Sequence, residues 1–349
     1  MSKQVLNIAV TGLNAIDSPG SGISVIRALR DAESFDVRII GLSYESLEPG
    51  IYMHEYVDKT YQIPFPSAGQ EALLARLEYI HSVEKLDFII PNFDAELFNF
   101  IKIAEQLREK YGIHSCLPTV EQFEARQKVN LNEYGRKHNL KIPFAETLHS
   151  ANEIDDLGSR IEYPCVVKGQ YYESSIAYNS DQAKSHFQKI AGKWGTPILI
   201  QEFIYGSEVN VCGVGDGEGG TIGAVPMRKL FITDQGKAWA GITIEDEELL
   251  RITAEWLKTS KWNGGFELEF MKTTEDEYYL LEINPRFPAW VYLTVGAGQN
   301  QVEASVHLGM GNTPERFDSY ESGKMFIRYS YDMIVNLNEF EQISTFGEL

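Results

Sequence analysis

The sequence predicts a mixed α/β and α+β protein in three parts, and three features carry that expectation. Apolar runs alternate with amphipathic stretches through the first third, which is the pattern of a parallel, doubly wound sheet. From Ile198 onward the pattern turns strand-rich. Between these lies a stretch with helical periodicity and a single strand, which reads as a small α+β unit. A chain of 349 residues favours two or three domains over one. The expected division is 1–118, 119–197 and 198–349.

Taken in order, residues 5–10 read as a buried strand and 23–30 as a helix after a Gly/Pro/Ser loop. Residues 37–42 form a second strand, 71–83 a helix, 87–91 (DFIIP) a strand and 95–110 a long helix with apolar residues at helical spacing. A short helical region over 120–139 precedes a strand at 163–168 and a helix near 182–193. Strands follow at 198–204, 209–214, 224–231 and 241–244, then a helix at 247–258, two more strands and a last helix around 302–308. The last forty or so residues carry no clear pattern.

Composition excludes several classes. Hydrophobic residues make up 43% of the chain, enough for a sizeable soluble core. The formal net charge of -19 argues against nucleic acid, whose binders cluster Lys and Arg against phosphates. It does not argue against a small anion, which needs only a local positive pocket. Cys116, Cys165 and Cys212 lie far apart and fit neither a disulfide framework nor a zinc site, so a reducing compartment is expected. The first residues turn polar too soon for a secretory signal, and no apolar run approaches the ~18 residues a bilayer span requires. A cytoplasmic protein with no membrane partner is the expectation.

The chemistry concentrates between Gly264 and Arg286. The run F-E-L-E-F-M places Glu267 and Glu269 on one face of a strand, and Y-Y-L-L-E-I-N places Glu282 and Asn284 on one face of the next. A hairpin turning at Glu275 and Asp276 would set Glu269 opposite Glu282 and Glu267 opposite Asn284. Like charges facing each other across a ladder need compensation. Mg2+, which takes oxygen ligands, would supply it. A solvated hairpin face is the alternative. Two residues beyond Asn284, the guanidinium of Arg286 is placed to hold phosphate oxygens.

The segment Glu282-Ile283-Asn284-Pro285-Arg286, with Glu269 thirteen positions earlier, resembles the ATP-grasp family, and within it the carbamoyl-phosphate-synthetase-like branch. The resemblance extends over most of the chain. It implies a Rossmann-like N-terminal domain that walls the substrate pocket, followed by a two-subdomain ATP-grasp fold with ATP between its parts. It also implies that Glu269, Glu282 and Asn284 hold metal, two Mg2+ ions or in their place Mn2+, and that Arg286 contacts the transferring phosphate. The run I-L-I-Q-E-F-I-Y-G-S-E resembles the family's hinge strand. There Glu202, Phe203 and Ile204 would border adenine, Gln201 would meet its amine, and Glu208 would accept from the ribose hydroxyls. Lys128 and Lys168 match lysines that hold the α- and β-phosphates, although Lys128 alone would read as a surface lysine. Arg228 and Lys229 would face the γ-phosphate or the substrate carboxylate.

One departure from the family concerns the loop after Lys168. It reads G-Q-Y-Y-E-S-S, with one glycine where the family uses several, so that Ser174 and Ser175 become the donors expected toward phosphate. Two further features stay open. The turn Gly12…Gly20-Ser21-Gly22 is either a structural loop or a nicotinamide site, without the usual G-x-G-x-x-G spacing. Asp94 is either a ligand-side residue or the N-cap of the helix after it.

The activity implied is ATP-dependent joining of a small-molecule carboxylate to an amine or thiol through an acylphosphate, a ligase reaction compatible with a homodimer. The alternatives are an ATP-grasp module that binds nucleotide without turnover and a nicotinamide-dependent oxidoreductase.

Overall fold

The computed structural model describes residues 3–169 and 173–349. The chain divides into two compact units, one made of Met1–Phe123, Val211–Glu267 and Asn284–Leu349, the other of Glu124–Asn210 and Leu268–Ile283.

The first unit begins with β1 (Gln4–Val10), α1 (Ser21–Arg30), β2 (Phe35–Ser43), β3 (Lys59–Gln62), α2 (Gly69–Glu84), β4 (Phe88–Ile90) and α3 (Asp94–Tyr111). The strands are parallel, in the order β3-β2-β1-β4. Side-chain alternation along β1 decides which helix covers which face. Leu6, Ile8 and Val10 share a core with Val25, Ile26 and Leu29 of α1. Ala9, with Ile40 and Leu42 of β2, shares another with Leu73 and Leu77 of α2 and Phe100 and Ile103 of α3. Helices therefore cover both faces, the doubly wound pattern the sequence predicts. Strand β3 is not among the expected elements, because K-T-Y-Q has no apolar run.

The glycine turn between β1 and α1 answers a steric demand. The Gly22 amide donates to the Gly12 carbonyl at 3.0 Å. A Cβ on Gly22 would lie 2.3 Å from the Thr11 carbonyl oxygen, and Gly12 has φ +77°. These glycines serve close passage of the chain, which is the structural reading of the turn.

The carboxyl ends of β1 and β4 are tied together by Glu96, 1% exposed on α3. Its carboxylate accepts from the Thr11 and Tyr44 hydroxyls and from the amides of Asn92 at 2.9 Å and Phe93 at 3.0 Å. Glu96 thereby caps α3, and Asp94 stands inside the first turn rather than at the cap. The N-cap reading of Asp94 is thus corrected.

The chain continues through α4 (Val120–Ala125), α5 (Leu131–His138), β5 (Ala145–Leu148), β6 (Cys165–Gly169), β7 (Ser174–Ala177), α6 (Ser180–Trp194) and β8 (Ile198–Glu202). Strands β5 to β8 form an antiparallel sheet in the order β5-β8-β6-β7. Its core in the second unit is Cys165, Val167, Ile198 and Ile200 against Phe187 and Ile190 of α6.

Next come β9 (Ser207–Asp216), β10 (Thr221–Ile232), β11 (Ala238–Thr243), α7 (Glu247–Ser260), β12 (Asn263–Lys272), β13 (Tyr278–Asn284), α8 (Tyr292–Gly296), α9 (Gln301–Gly309), β14 (Met325–Ile327) and α10 (Leu337–Phe346). Six of these strands form a sheet in the order β13-β12-β9-β10-β11-β14. The 347–349 segment runs back along β3, where Gln62 donates to Gly347 and Thr60 exchanges amide bonds with Leu349 at 2.8 and 2.9 Å. Among the described residues, no helix is long and apolar enough to cross a membrane.

Burial pushes the Glu96 carboxyl up from 4.5 to about 7, against the pull of the hydrogen bonds it accepts. A raised pKa favours the protonated folded state, so this contribution is full below about 4.5 and is lost as the pH rises through about 7. The melting temperature of Glu96→Gln should vary less than wild type across that window in scanning calorimetry. An unchanged profile would remove Glu96 as the cause.

Candidate functional site

Strands β12 and β13 carry the acidic residues singled out by the sequence. Their turn is centred on Glu275 rather than between Glu275 and Asp276: Thr273 N–H donates to Glu277 O at 2.9 Å, Asp276 N–H donates to Thr273 O at 3.2 Å, and Asp276 has φ +59°. The period of two puts Glu267 with Glu269 on one side of β12 and Glu282 with Asn284 on one side of β13.

In the first unit the centre is Glu267. Glu267 and Asn284 are each 5% exposed. Asn284 Nδ2 donates to Glu267 Oε2 at 3.0 Å, and Trp290 Nε1 donates to Oε1 at 2.7 Å. Arg286 Nη1 stands 3.6 Å from the same carboxylate. Its Nε and Nη2 both donate to Asp94 Oδ2, at 3.1 and 2.9 Å. Asp94 therefore orients the guanidinium that neutralises Glu267. The carboxylate and amide oxygens of Glu267 and Asn284 are hard donors of the kind Mg2+ takes, and a cation already stands against this carboxylate. The donor set fits that ion.

In the second unit five of the expected residues share one electrostatic neighbourhood around Lys168. Burial, then the neighbouring Lys128 cation, lowers its ammonium from 10.5 to about 8, while Glu282, Glu269 and Glu208 oppose the shift. Lys128 Nζ lies 3.4 Å from Glu282 Oε1. Two lysines held together among three carboxylates describe a site where positive charge is gathered at a cost that a polyanion would offset. Among the described residues, no group of three or more His, Cys, Asp or Glu side chains forms a metal cluster by itself.

The remaining expected residues fall as follows. Gln201 is buried on β8, and Glu202 ends that strand with its N–H donating to the Phe144 carbonyl at 2.8 Å. Phe203 and Ile204 are half-buried just beyond. Gly206 is demanded sterically, because a Cβ there would lie 2.2 Å from the Lys272 carbonyl oxygen. Ser174 pairs directly with Lys168 and so shares its side of the sheet, whereas Ser175 pairs with Val167 and faces the other side. The loop's Gln170, Tyr171 and Tyr172 lie outside the described residues. Arg228 and Lys229 are consecutive on β10, so they leave opposite faces and cannot both grip one group directly. Arg228 is exposed; Lys229 donates to the Gly236 carbonyl at 3.4 Å.

Two residues of this neighbourhood escape the sequence reading as site residues. Glu267 stands opposite Asn284 there, but Glu269, the same residue type on the same face, takes its place as the metal ligand. Arg328 follows β14 in a stretch without sequence pattern. It is half-buried and donates through Nη1 to the Ala238 carbonyl at 2.6 Å. Burial lowers its pKa to about 10, with Glu267 the one carboxylate opposing that shift. Among the described residues, no carboxylate lies within ion-pair distance of it.

Residues 195–327 match the family model described as ATP-grasp in the biosynthetic pathway with Ter operon. The chain is 23% identical over 277 residues to the carbamoyl phosphate synthase large chain of Agathobacter rectalis, covering 74% of this chain and 24% of that one. It is 29% identical over 161 residues to the large chain of Pyrococcus furiosus, covering 42% and 15%. It thus spans about a quarter or less of these curated relatives. Among solved structures it resembles the Campylobacter jejuni biotin carboxylase–β-γ-ATP complex, with TM-score 0.70 and 14% identity over 91% of this chain and 74% of the other. N5-carboxyaminoimidazole synthetase of Staphylococcus aureus complexed with ADP gives 0.66 and 16%, over 92% and 80%. L-amino acid ligase of Bacillus licheniformis gives 0.62 and 15%, over 88% and 75%. The architecture is the ATP-grasp fold. Residues 195–327 carry the family match, and most of the chain is similar to carbamoyl phosphate synthase large chains over a part of their length.

Lys168 provides a pH test. A phosphate prefers the protonated ammonium, and the nucleotide-free protein loses that proton near pH 8. Affinity for a non-hydrolysable ATP analogue should therefore fall by up to about tenfold per pH unit above 8 in titration calorimetry, and Lys168→Arg should flatten the fall. Equal slopes in both proteins would separate Lys168 from the nucleotide.

Proposed function

We propose that this protein is an ATP-dependent ligase that activates a small-molecule carboxylate by phosphoryl transfer and passes the acyl group to an amine. One observation carries the reading: Lys128, Lys168, Glu208, Glu269 and Glu282, chosen from sequence, gather in one electrostatic neighbourhood. In this reading the division at 118 and 197 stands, the protein works in the cytoplasm, and two Mg2+ ions accompany the nucleotide. When bound, Mg2+ would neutralise phosphate charge. Glu282 and Asn284 would hold it, with Glu267 or its strand neighbour Glu269 as the further carboxylate, and the hydrogen bond from Asn284 favours Glu267.

The protein's own groups divide the remaining work. Lys128 and Lys168 hold the phosphate chain, with the hydroxyl of Ser174 on the same side as Lys168. Gln201, Glu202, Phe203 and Ile204 border the base, and Glu208 accepts from the ribose. Asp94 fixes the direction of Arg286, the guanidinium that the resemblance assigns to the transferring phosphate. A carboxylate attacking a polyanion is repelled by it, so cations placed in line contribute to rate by position and charge. Arg328, a half-buried guanidinium with donors to spare, suits the substrate carboxylate better than the exposed Arg228.

The reading is tested by ADP release from ATP across pooled carboxylic acids and amines. One productive pair identifies both substrates; nucleotide binding with no release from any pair favours a binding module instead. Glu282→Ala should abolish release while circular dichroism stays unchanged. Glu267→Ala should be the more damaging of the two β12 substitutions, and equal loss in Glu269→Ala would reverse that assignment. Arg328→Ala should raise KM for the carboxylate about 10- to 100-fold, the weight of a charged hydrogen bond, with affinity for the ATP analogue kept.

A further inference from the structure

Strand β14 forms one edge of the six-stranded sheet. It pairs with β11 through Met325 opposite Ile242, Phe326 opposite Gly241 and Ile327 opposite Ala240. The ladder continues on both sides, from Arg328 N–H to Trp239 O at 2.9 Å and from Thr243 N–H to Lys324 O at 2.8 Å. Residues 324, 326 and 328 thus turn their backbone groups inward. By the alternation of an antiparallel strand, Met325, Ile327 and Tyr329 turn theirs outward. A row of outward amides on an edge strand is a template for another strand, and native edges usually carry charge or proline to prevent pairing. Here the outward residues are apolar: Ile327 is 71% exposed and Tyr329 76%. Ile327, Ala240 and Phe231 lie in one row across three strands, so the exposed ring of Phe231 extends the same face.

The geometry points to a second copy of this chain as the occupant of this edge, paired with β14 antiparallel about a two-fold axis at Ile327. Register selects that centre. Outward backbone groups must face one another, which pairs odd with odd residues and puts the axis through a residue. An axis at Phe326 would set Lys324 against Arg328, and one at Arg328 would set that guanidinium against itself, so both are disfavoured by like charge. With Ile327 on the axis, Met325 faces Tyr329 of the second copy, and Phe326 faces Arg328, a cation against an aromatic ring. Lys324 then faces Ser330, with Asp332 diagonally beyond it. An axis at Met325 would set Ile327 against Gly323 and lose the apolar pair. An axis at Tyr329 would draw on residues 331 and 333, beyond the end of β14. The axis at Ile327 uses the strand itself, joins apolar to apolar and puts no like charges in direct opposition, which would destabilise a ladder. It is also isologous, so the assembly closes at two and leaves no free edge to propagate. The exposed apolar side chains of Phe231, Met325, Ile327, Tyr329 and Tyr331 offer several hundred Å² per copy, near the roughly 800 Å² per partner of a standard interface.

The full chain should sediment at twice its monomer mass at micromolar concentration. Ile327→Lys, a change at a well-exposed position, should sediment as a monomer with an unaltered circular dichroism spectrum. Ile327→Cys should oxidise to a disulfide-linked dimer, since only a residue at the axis meets its own copy. A wild-type monomer, as expected if another protein covers this edge, would overturn the proposal. So would a dimer that survives Ile327→Lys, or an Ile327→Cys variant that stays dimeric yet fails to cross-link.

Discussion

A carboxylate with 5% exposure in a chain of net charge -19 must be met by a fixed cation and hydrogen-bond donors, and the site is organised around meeting that need at Glu267. Its oxygens receive Asn284, Trp290 and Arg286. Arg286 is held in turn by Asp94, in the first turn of α3. The direction of that turn depends on Glu96, which gathers the loop amides of Asn92 and Phe93 with the hydroxyls of Thr11 and Tyr44. A chain of polar contacts thus runs from the carboxyl ends of β1 and β4 to Arg286. Removing one member of a buried charged pair typically costs about 3–5 kcal/mol, because the partner is left without compensation. The arrangement is therefore specified as a set, and no single member can drift without exposing a neighbour's charge.

The second unit solves the opposite problem. Lys168 and Lys128 repel each other, and burial makes that repulsion worse; Glu282, Glu269 and Glu208 temper it without cancelling it, since Lys168 still titrates near 8. A site in which like charges are held together without ligand is suited to a polyanion, because the ligand's charge relieves the repulsion among the groups. The large negative net charge is compatible with this. Charges beyond about a Debye length are screened at physiological salt, so the local lysines govern what a phosphate chain experiences.

How much of this was legible in the sequence follows from the range of each signal. Alternation along β1, β2 and α1 is local and survives translation into structure, as do the acidic positions of β12 and β13. Strand β3 was invisible because its backbone pairing, to β2 on one side and to the 347–349 segment on the other, requires no apolar run. Glu267 and Glu269 could not be ranked from periodicity, since both leave one face of one strand; the contacts that Glu267 receives from Asn284, Trp290 and Arg286 are tertiary. Asp94 is a cap candidate by residue type, but the capping work falls to Glu96 two positions on, and Asp94 is left to bind Arg286. Arg228 and Lys229 look like a pair because they are adjacent, while adjacency on a strand is what sends them apart.

Arg328 illustrates the limit most clearly. Nothing in its neighbourhood of sequence marks it, because what matters about it is long-range: β14 delivers it beside the Ala238 carbonyl and within reach of the field of Glu267. A guanidinium has five N–H donors, and a backbone carbonyl occupies one of them. Half-burial makes the charge of such a group costly, and an anionic ligand would offset that cost. Glu267 acts on it through its field, while its own oxygens receive Asn284 and Trp290 and stand against Arg286. In the proposed reading, the anion that meets Arg328 is the substrate's. An incoming carboxylate would have the charge and the planar pair of acceptors that a guanidinium matches best.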